Sequence, residues 1–319
     1  MDAYAFQAEG LTKRFGRITA LDGVDLEARP GTVLSVLGPN GAGKTTAIRI
    51  LATLLRPDAG RAAVGGFDVV RDAARVRQLI GLTGQYASVD EDLTGEENLV
   101  LIGRLLDLHK GEAKARADEL LHRFGLTEAG AQRVSTYSGG MRRRLDLAAS
   151  LVGKPRVIFL DEPTTGLDPG KREDMWRMIR LLTAEGATVL LTTQYLEEAD
   201  ALADEVSVID HGRVIANGTP GELKQVVGGQ TIAVRPKDPG RLPHVAQILG
   251  RAAGREPEQA GNGVLTVPVD GDGTFSEVVY HLDTAGIEVI ELSLRLPSLD
   301  DAFFALTGRP TDQHEEVAA

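Results

Sequence analysis

The chain has no cysteine among its 319 residues, so disulfide bonds, Cys-ligated zinc and a thiol nucleophile are all excluded. Its longest apolar runs, such as residues 157–160 and 187–191, fall far short of the ~20 residues that span a bilayer. The first residues have neither a basic start nor an apolar run, so we expect no signal peptide. We therefore expect a soluble chain that reaches any membrane through a partner.

Positive charge is also scarce. The 35 Lys and Arg residues are outnumbered by 46 Asp and Glu residues, which gives a formal net charge of -11. A surface that binds nucleic acid neutralises phosphates with clustered basic side chains, so we predict no nucleic-acid partner. The length suits one large domain and one smaller domain.

A phosphate-binding loop is the central motif of the chain. The apolar run 33–37 ends at a glycine, and the spacing G-x-x-x-x-G-K-T follows before a helical pattern. Glycines let backbone N–H groups approach phosphate oxygens that a Cβ would keep away. The lysine adds positive charge, and the threonine after it offers a hydroxyl to Mg²⁺. The motif predicts binding of a nucleoside triphosphate by Gly38, Pro39, Asn40, Gly41, Ala42, Gly43, Lys44, Thr45 and Thr46.

Two carboxylates follow a second buried strand. Asp161 and Glu162 come directly after the apolar run 157–160, at a predicted strand end beside the phosphates. Asp161 is placed to hold Mg²⁺ through its water shell, and Glu162 is placed to polarise the water that attacks the γ-phosphate. Gln194 ends the next predicted strand, at the same edge of the sheet.

Other motifs surround this centre. Short strands before the loop predict an antiparallel sheet, on which Phe15 is placed to stack on a base. A strand near residue 80 ends at Gln85, and helical patterns then predict an insert over about 86–153. At its end, Ser138-Gly139-Gly140 leads into a helix, where it serves either as an N-cap or as an anion site.

These patterns predict an α/β fold, a P-loop NTPase with a parallel-sheet core, an antiparallel β subdomain and a helical insert. The site lies at the carboxyl edge of the sheet. After residue 228 the pattern changes, which predicts a small C-terminal α+β domain over 229–308 and a disordered tail over 309–319. We expect this domain to dimerise or stabilise the chain rather than to sense a ligand.

With these motifs in this order, residues 8–224 resemble the ATP-binding subunits of ABC transporters. The resemblance implies ATP and Mg²⁺ as cofactors, with Thr45, Gln85 and Asp161 at the metal and Asp168 among the nucleotide contacts. It also implies that the catalytic residues are Glu162, Lys44 and Gln194. It implies a head-to-tail homodimer in which Ser138, Gly139 and Gly140 cap the γ-phosphate held by the other subunit. It also implies an integral membrane permease as partner and a place at the cytoplasmic face of the membrane.

The sequence departs from this family's pattern at three positions. Tyr137 and Met141 replace the outer residues of the usual Leu-Ser-Gly-Gly-Gln, and Gln194 stands where histidine is usual. A glutamine amide still forms hydrogen bonds, but it carries no proton or positive charge at this position.

The segment 192–200 and the terminal segment 297–308 resemble the daunorubicin/doxorubicin-resistance branch of the family. That resemblance implies an ATPase coupled to export of a drug, antibiotic or other amphipathic compound through the permease. The alternative is a soluble ABC-type ATPase acting on ribosomes or DNA, which typically carries two cassettes, a long coiled coil or zinc modules. A nucleotide kinase or GTPase would predict neither the Ser-Gly-Gly helix start nor the second carboxylate.

Overall fold

The computed structural model describes residues 4–84, 89–226, 230–260, 263–269, 272–295 and 298–307. Gln85 and the predicted tail therefore lie outside the described residues. The chain divides into two compact units between residues 220 and 221. The sequence analysis placed this boundary at residue 228, which is also outside the described part.

Within its described residues, the first unit contains two sheets and seven α-helices. Its strands are β1 (Phe6–Phe15), β2 (Ile18–Ala28), β3 (Val33–Leu37), β4 (Ala59–Val64), β5 (Phe67–Asp68), β6 (Ile80–Thr83), β7 (Val157–Asp161), β8 (Thr188–Thr193), β9 (Glu205–Asp210) and β10 (Arg213–Gly218). Its helices are α1 (Lys44–Leu51), α2 (Ala73–Leu79), α3 (Gly95–Leu105), α4 (Lys110–Arg123), α5 (Gly139–Ser150), α6 (Pro169–Ala184) and α7 (Leu196–Leu202).

The larger sheet has the order β10-β9-β3-β8-β7-β6, and every pairing except β9 with β10 is parallel. Strands β3, β7 and β8 are buried along their whole length. This burial explains their continuous apolar sequences, because helices cover both faces of a parallel sheet. The predicted parallel-sheet core of a P-loop NTPase is confirmed.

The smaller sheet is antiparallel, with the order β2-β1-β4-β5. Its apolar face shares a core with α1 and with β7, where Phe6 meets Phe159 edge to face at a centroid distance of 5.9 Å. This packing places Ala20, near the start of β2, beside the loop between β3 and α1.

Helices α3, α4 and α5 form the predicted insert. The Thr94 hydroxyl accepts a hydrogen bond from the Glu97 amide, and Glu97 accepts one from the Thr94 amide, so α3 begins with the predicted capping box. Leu99, Leu120 and Leu145 are fully buried in one core that this insert shares with β7 and α6. The insert is therefore packed onto the sheet through apolar side chains on three helices.

The second unit is smaller. Its elements are α8 (Pro220–Val226), β11 (Gln230–Pro236), α9 (Leu242–Ala253), β12 (Glu258–Ala260), β13 (Val264–Val269), α10 (Asp272–Thr284), β14 (Val289–Arg295) and α11 (Leu299–Thr307). The sheet order β12-β13-β11-β14 with all pairs antiparallel is that of a ferredoxin-like βαββαβ motif. Its core packs residues of α9 and α10 against one face of the sheet.

Candidate active site

The loop between β3 and α1 is shaped by glycines. A Cβ on Gly38 would lie 2.2 Å from the Ile209 carbonyl oxygen, and one on Gly43 would lie 2.4 Å from the Ala20 carbonyl oxygen. Gly43 also has φ of 113°, a conformation that side chains disfavour. Larger residues would therefore displace the loop from the sheet.

Lys44 begins α1 and turns back over this loop. Its Nζ donates hydrogen bonds to the carbonyl oxygens of Gly38 at 2.7 Å and Pro39 at 3.1 Å. It also lies 3.5 Å from Oε1 of Glu162, and both side chains are at most 8% exposed. The ammonium is therefore held at the floor of a pocket lined by Ala20, residues 40–46 and Glu162.

Asp161 occupies the end of β7 and accepts two hydroxyl hydrogen bonds on Oδ1. Thr45 donates at 3.1 Å, and Thr192 at the end of β8 donates at 2.6 Å. A hydroxyl and a carboxylate next to phosphate oxygens are the ligands that Mg²⁺ prefers. The donor set of Thr45 and Asp161 thus fits this cation, with further ligands supplied by phosphate and water.

Glu162 follows with backbone φ of 50°, in the left-handed region that a glutamate rarely adopts. Its amide donates to the Thr192 carbonyl and the Thr192 hydroxyl, both at 3.1 Å. Its Oε2 accepts from the Thr165 hydroxyl at 3.2 Å. The carboxylate is consequently aimed at Lys44 from a backbone fixed against β8.

The predicted Ser-Gly-Gly segment begins α5, where the Ser138 hydroxyl accepts from the Met141 amide at 3.3 Å. Gly139 lines a cavity with Glu162 and Thr165, and Ser138 and Gly140 line another with Lys171. Neither cavity is the phosphate-loop pocket. A Cβ on Gly139 would meet nothing within 4 Å, so the space above this helix start is open.

Asp168 is the N-cap of α6 and accepts a hydrogen bond from the Lys171 amide at 3.0 Å. The Lys171 side chain also pairs with it and holds the pKa of Asp168 below its ordinary value. The structure thus shows Asp168 as a helix cap, and its predicted nucleotide contact stays a prediction.

Gln194 follows β8 at the same edge of the sheet as Asp161. Its Oε1 is buried and accepts no hydrogen bond from the described residues. This open acceptor is available to a hydrogen-bond donor such as a water molecule.

Phe15 ends β1 and is 49% exposed, with Lys13 Nζ 5.7 Å from the ring centroid. An exposed ring at this position suits stacking on a base. Its role, like that of Gln85 outside the described residues, stays a prediction.

Three site residues were missed by the sequence analysis: Thr192, Arg143 and Glu198. Thr192 is read as an ordinary strand residue because its contacts with Asp161 and Glu162 lie 31 and 30 residues away. Arg143 carried a usable signal, since a basic residue near a helix N-terminus opposes the helix dipole and needs an acceptor elsewhere. Glu198 in α7 is fully buried, accepts from Trp176 Nε1 at 3.2 Å, and has a pKa raised by burial.

The strand, phosphate loop and helix, with two carboxylates at the end of a neighbouring parallel strand, define the class of phosphate-loop nucleotide hydrolases. The ABC transporter family model matches residues 21–165. The chain is 53% identical to the daunorubicin resistance ATP-binding protein DrrA2 of Streptomyces coeruleorubidus over the full length of both chains. It is 48% identical to the doxorubicin resistance ATP-binding protein DrrA of Mycobacterium tuberculosis, covering 98% of this chain and 96% of that protein.

Solved structures of ATP-binding subunits have the same fold as this chain. The chain superposes on cbiO1 from Clostridium perfringens, part of an ABC transporter complex, with a TM-score of 0.65 at 27% identity, covering 71% of this chain and 94% of that one. A dimeric ATP-binding cassette bound to ADP and Pi gives a TM-score of 0.61 at 25% identity, covering 67% and 98%. The chain therefore belongs to the ABC transporter family, on the branch of the daunorubicin and doxorubicin resistance ATP-binding proteins, and is an ATPase.

Proposed function

We propose that this chain binds and hydrolyses ATP to drive export of a drug, antibiotic or other amphipathic compound through a separate membrane subunit. One observation supports the ATPase site most strongly, namely that two distant segments of the chain meet at one pocket. Lys44, Thr45 and Glu162 line this pocket, and Thr45 donates a hydrogen bond to Asp161 beside it. The export role is supported by the names of the similar resistance proteins.

In this proposal the phosphate loop binds the β- and γ-phosphates, and Lys44 neutralises their charge. Thr45 and Asp161 would hold Mg²⁺, which neutralises charge on the phosphate oxygens when bound, with Gln85 as a further contact. Glu162 orients the attacking water and accepts its proton. Gln194 donates a hydrogen bond to the γ-phosphate or accepts one from that water.

The second half of the site would come from a second copy of the chain. The open space above Gly139, and the cavity that Ser138 and Gly140 line together, are suited to a γ-phosphate held by another subunit. A helix start with free N–H groups favours such an anion. ATP binding would close a head-to-tail dimer, and hydrolysis would reopen it.

The partner in the membrane would contact the helical insert. Helix α3 exposes two leucines one turn apart, Leu101 by 46% and Leu105 by 74%, which offers an apolar contact to a partner. No helix in the described ranges is long and apolar enough to cross a bilayer. Because the chain belongs to the ABC transporter family, we infer that it binds a permease at the cytoplasmic face of the membrane. The alternative of an ATPase acting on ribosomes or DNA is not favoured by these relatives.

The test is Glu162→Gln in the full-length chain. We expect ATP binding to persist, a dimer to accumulate with ATP, and hydrolysis to fall by roughly 10²–10⁴-fold, since general bases contribute that much. Phosphate release, equilibrium binding of ATP and light scattering measure the three quantities. Glu185→Gln is the matched control, because Glu185 is an exposed carboxylate that pairs with Arg123 in the helical insert.

Wild-type turnover in Glu162→Gln would remove the catalytic assignment. The same variant, tagged and held with ATP, also tests the partner by capture from detergent-solubilised membranes. A stoichiometric membrane protein with several spans supports export, whereas ribosomal or DNA-repair proteins without it support the alternative.

A further inference from the structure

One arginine connects the start of α5 to the carboxyl ends of β6 and β7. Arg143 Nε donates to the Pro163 carbonyl at 2.8 Å, and its Nη2 donates to the carbonyls of Asp161 at 3.2 Å and Glu162 at 2.8 Å. Its Nη1 donates to the Gly84 carbonyl at 2.9 Å. A single guanidinium thus binds three consecutive carbonyls around Glu162 and the residue just before Gln85.

The convergence of these carbonyls depends on the backbone of Glu162. Its φ of 50° is a conformation that residues other than glycine rarely adopt, and it persists only where surrounding contacts hold it. On one side, the Glu162 amide is bound to Thr192. On the other, its carbonyl is bound to Arg143, so the two contacts fix the peptide that carries the carboxylate.

The guanidinium is part-buried and lies among four acidic side chains. Burial lowers the pKa of Arg143, and the carboxylates of Asp146, Glu198, Asp161 and Glu162 oppose that shift. Arginine suits this place because its planar group offers five donors in a fixed arrangement, and here it uses donors on all three nitrogens. A lysine ammonium has three donors and cannot span the same four carbonyls.

We propose that Arg143 is a positioning residue for hydrolysis, which holds the backbone of Glu162 so that its carboxylate faces the γ-phosphate. The inference rests on the proposed role of Glu162. Through Arg143, the helix that begins at Ser138 is also hydrogen-bonded directly to the catalytic centre of its own chain.

The test compares Arg143→Ala and Arg143→Lys with the unchanged full-length chain. Misplacement of a catalytic group by about 1 Å costs on the order of 10²-fold, so we expect kcat to fall by that order. We expect affinity for a fluorescent ATP analogue to change less than about twofold, because Arg143 contacts no residue of the phosphate loop. Arg143→Lys keeps the charge and stem, and we expect it to fold but not to restore kcat.

Arg116→Ala is the matched control. Arg116 Nη2 donates to the Leu151 carbonyl at 2.7 Å, so it is a second guanidinium bound to a carbonyl, at the opposite end of α5. We expect this variant to keep kcat. An equal loss of kcat in Arg116→Ala would show that Arg143 acts only through the stability of α5, and would overturn the proposal.

A double variant separates this inference from the proposed function. If Arg143 acts through Glu162, Arg143→Ala should cause little further loss of single-turnover hydrolysis in a Glu162→Gln background. If the double variant loses as much activity as the product of the two single losses, the role of Arg143 is overturned. Wild-type kcat in Arg143→Lys, with Glu162→Gln inactive, would have the same consequence. Both outcomes would leave the role of Glu162 intact. Wild-type turnover in Glu162→Gln would overturn both assignments.

Discussion

The two units of the chain bury different kinds of side chain. In the described part of the chain, every buried polar or charged residue lies in the first unit, including Ser35, Asp161, Glu162 and Thr192. The core of the second unit, by contrast, consists of apolar residues from β11, β13, β14, α9 and α10.

This difference is informative because burial of a polar group costs free energy unless the group is hydrogen-bonded. In the first unit this cost is offset at the ends of β7 and β8, because each buried carboxylate there accepts a hydrogen bond from a hydroxyl group. The second unit carries no comparable cluster among its described residues. Substitutions in the core of the second unit should therefore lower stability, whereas substitutions at the sheet edge of the first unit should impair ATP binding or hydrolysis.

The largest effect is expected from Leu249→Ala in the second unit. Leu249 is fully buried on α9, and truncation of a buried leucine to alanine costs about 2–5 kcal/mol. Denaturant unfolding should show this loss while ATP affinity stays unchanged. Ile290→Ala, at a side chain that is 62% exposed, is the control and should shift stability by less than about 0.5 kcal/mol. A loss of ATP affinity in Leu249→Ala would contradict the view that substitutions in the second unit affect stability alone.

Lys44→Ala should have the next largest effect, on nucleotide binding. Hydrogen bonds to charged groups are worth about 1.5–3 kcal/mol, so ATP affinity should fall by roughly 10- to 150-fold. Titration with ATP measures this change. Arg49→Ala removes an exposed cation further along α1 and should leave affinity nearly unchanged. Equal losses in the two variants would mean that general charge, rather than the contact in the loop, attracts the nucleotide.

A smaller effect is expected from Phe15→Ala. Stacking of a base on an aromatic ring is worth about 1–3 kcal/mol, and the exposure of Phe15 places this change at the lower end. ATP affinity should fall by about tenfold, and Phe15→Trp should restore it. If Phe15→Ala binds ATP as tightly as the unchanged chain, the ring has no role in base stacking.

The smallest effect is expected from Glu198→Gln, because it replaces a buried carboxyl with a neutral group of nearly the same shape. Burial raises the pKa of Glu198, so the folded chain holds this proton more tightly than the unfolded chain does. Stability from this group is fully present below the pKa of the unfolded carboxyl and is lost as pH rises through the raised folded pKa.

The variant should therefore lose less stability than the unchanged chain as pH rises through that range. Denaturant unfolding at a series of pH values measures the difference in slope. Glu197→Gln, at the exposed neighbour that pairs with Arg172, should keep the original slope. Identical slopes for Glu198→Gln and the unchanged chain would refute the buried-proton interpretation.

Local patterns account for much of what was predicted correctly. The apolar runs of β3, β7 and β8, the capping box at Thr94 and the helix start at Ser138 all appear as expected. Strand β12 has no local signal in the sequence, because its three residues show no apolar alternation and form a strand only through pairing with β13.

The amino-acid sequence was sufficient to predict the phosphate loop, the two carboxylates after β7, the caps of α3 and α5, and the family to which the chain belongs. These features depend on residue types at short, regular spacings, which act through local backbone geometry. Only the tertiary structure decided that Thr45 bonds Asp161 across 116 residues, that Thr192 and Arg143 hold Glu162, and that the second unit has a ferredoxin-like strand order. Such contacts arise from strand pairing and packing between distant segments, and no local spacing in the sequence specifies them.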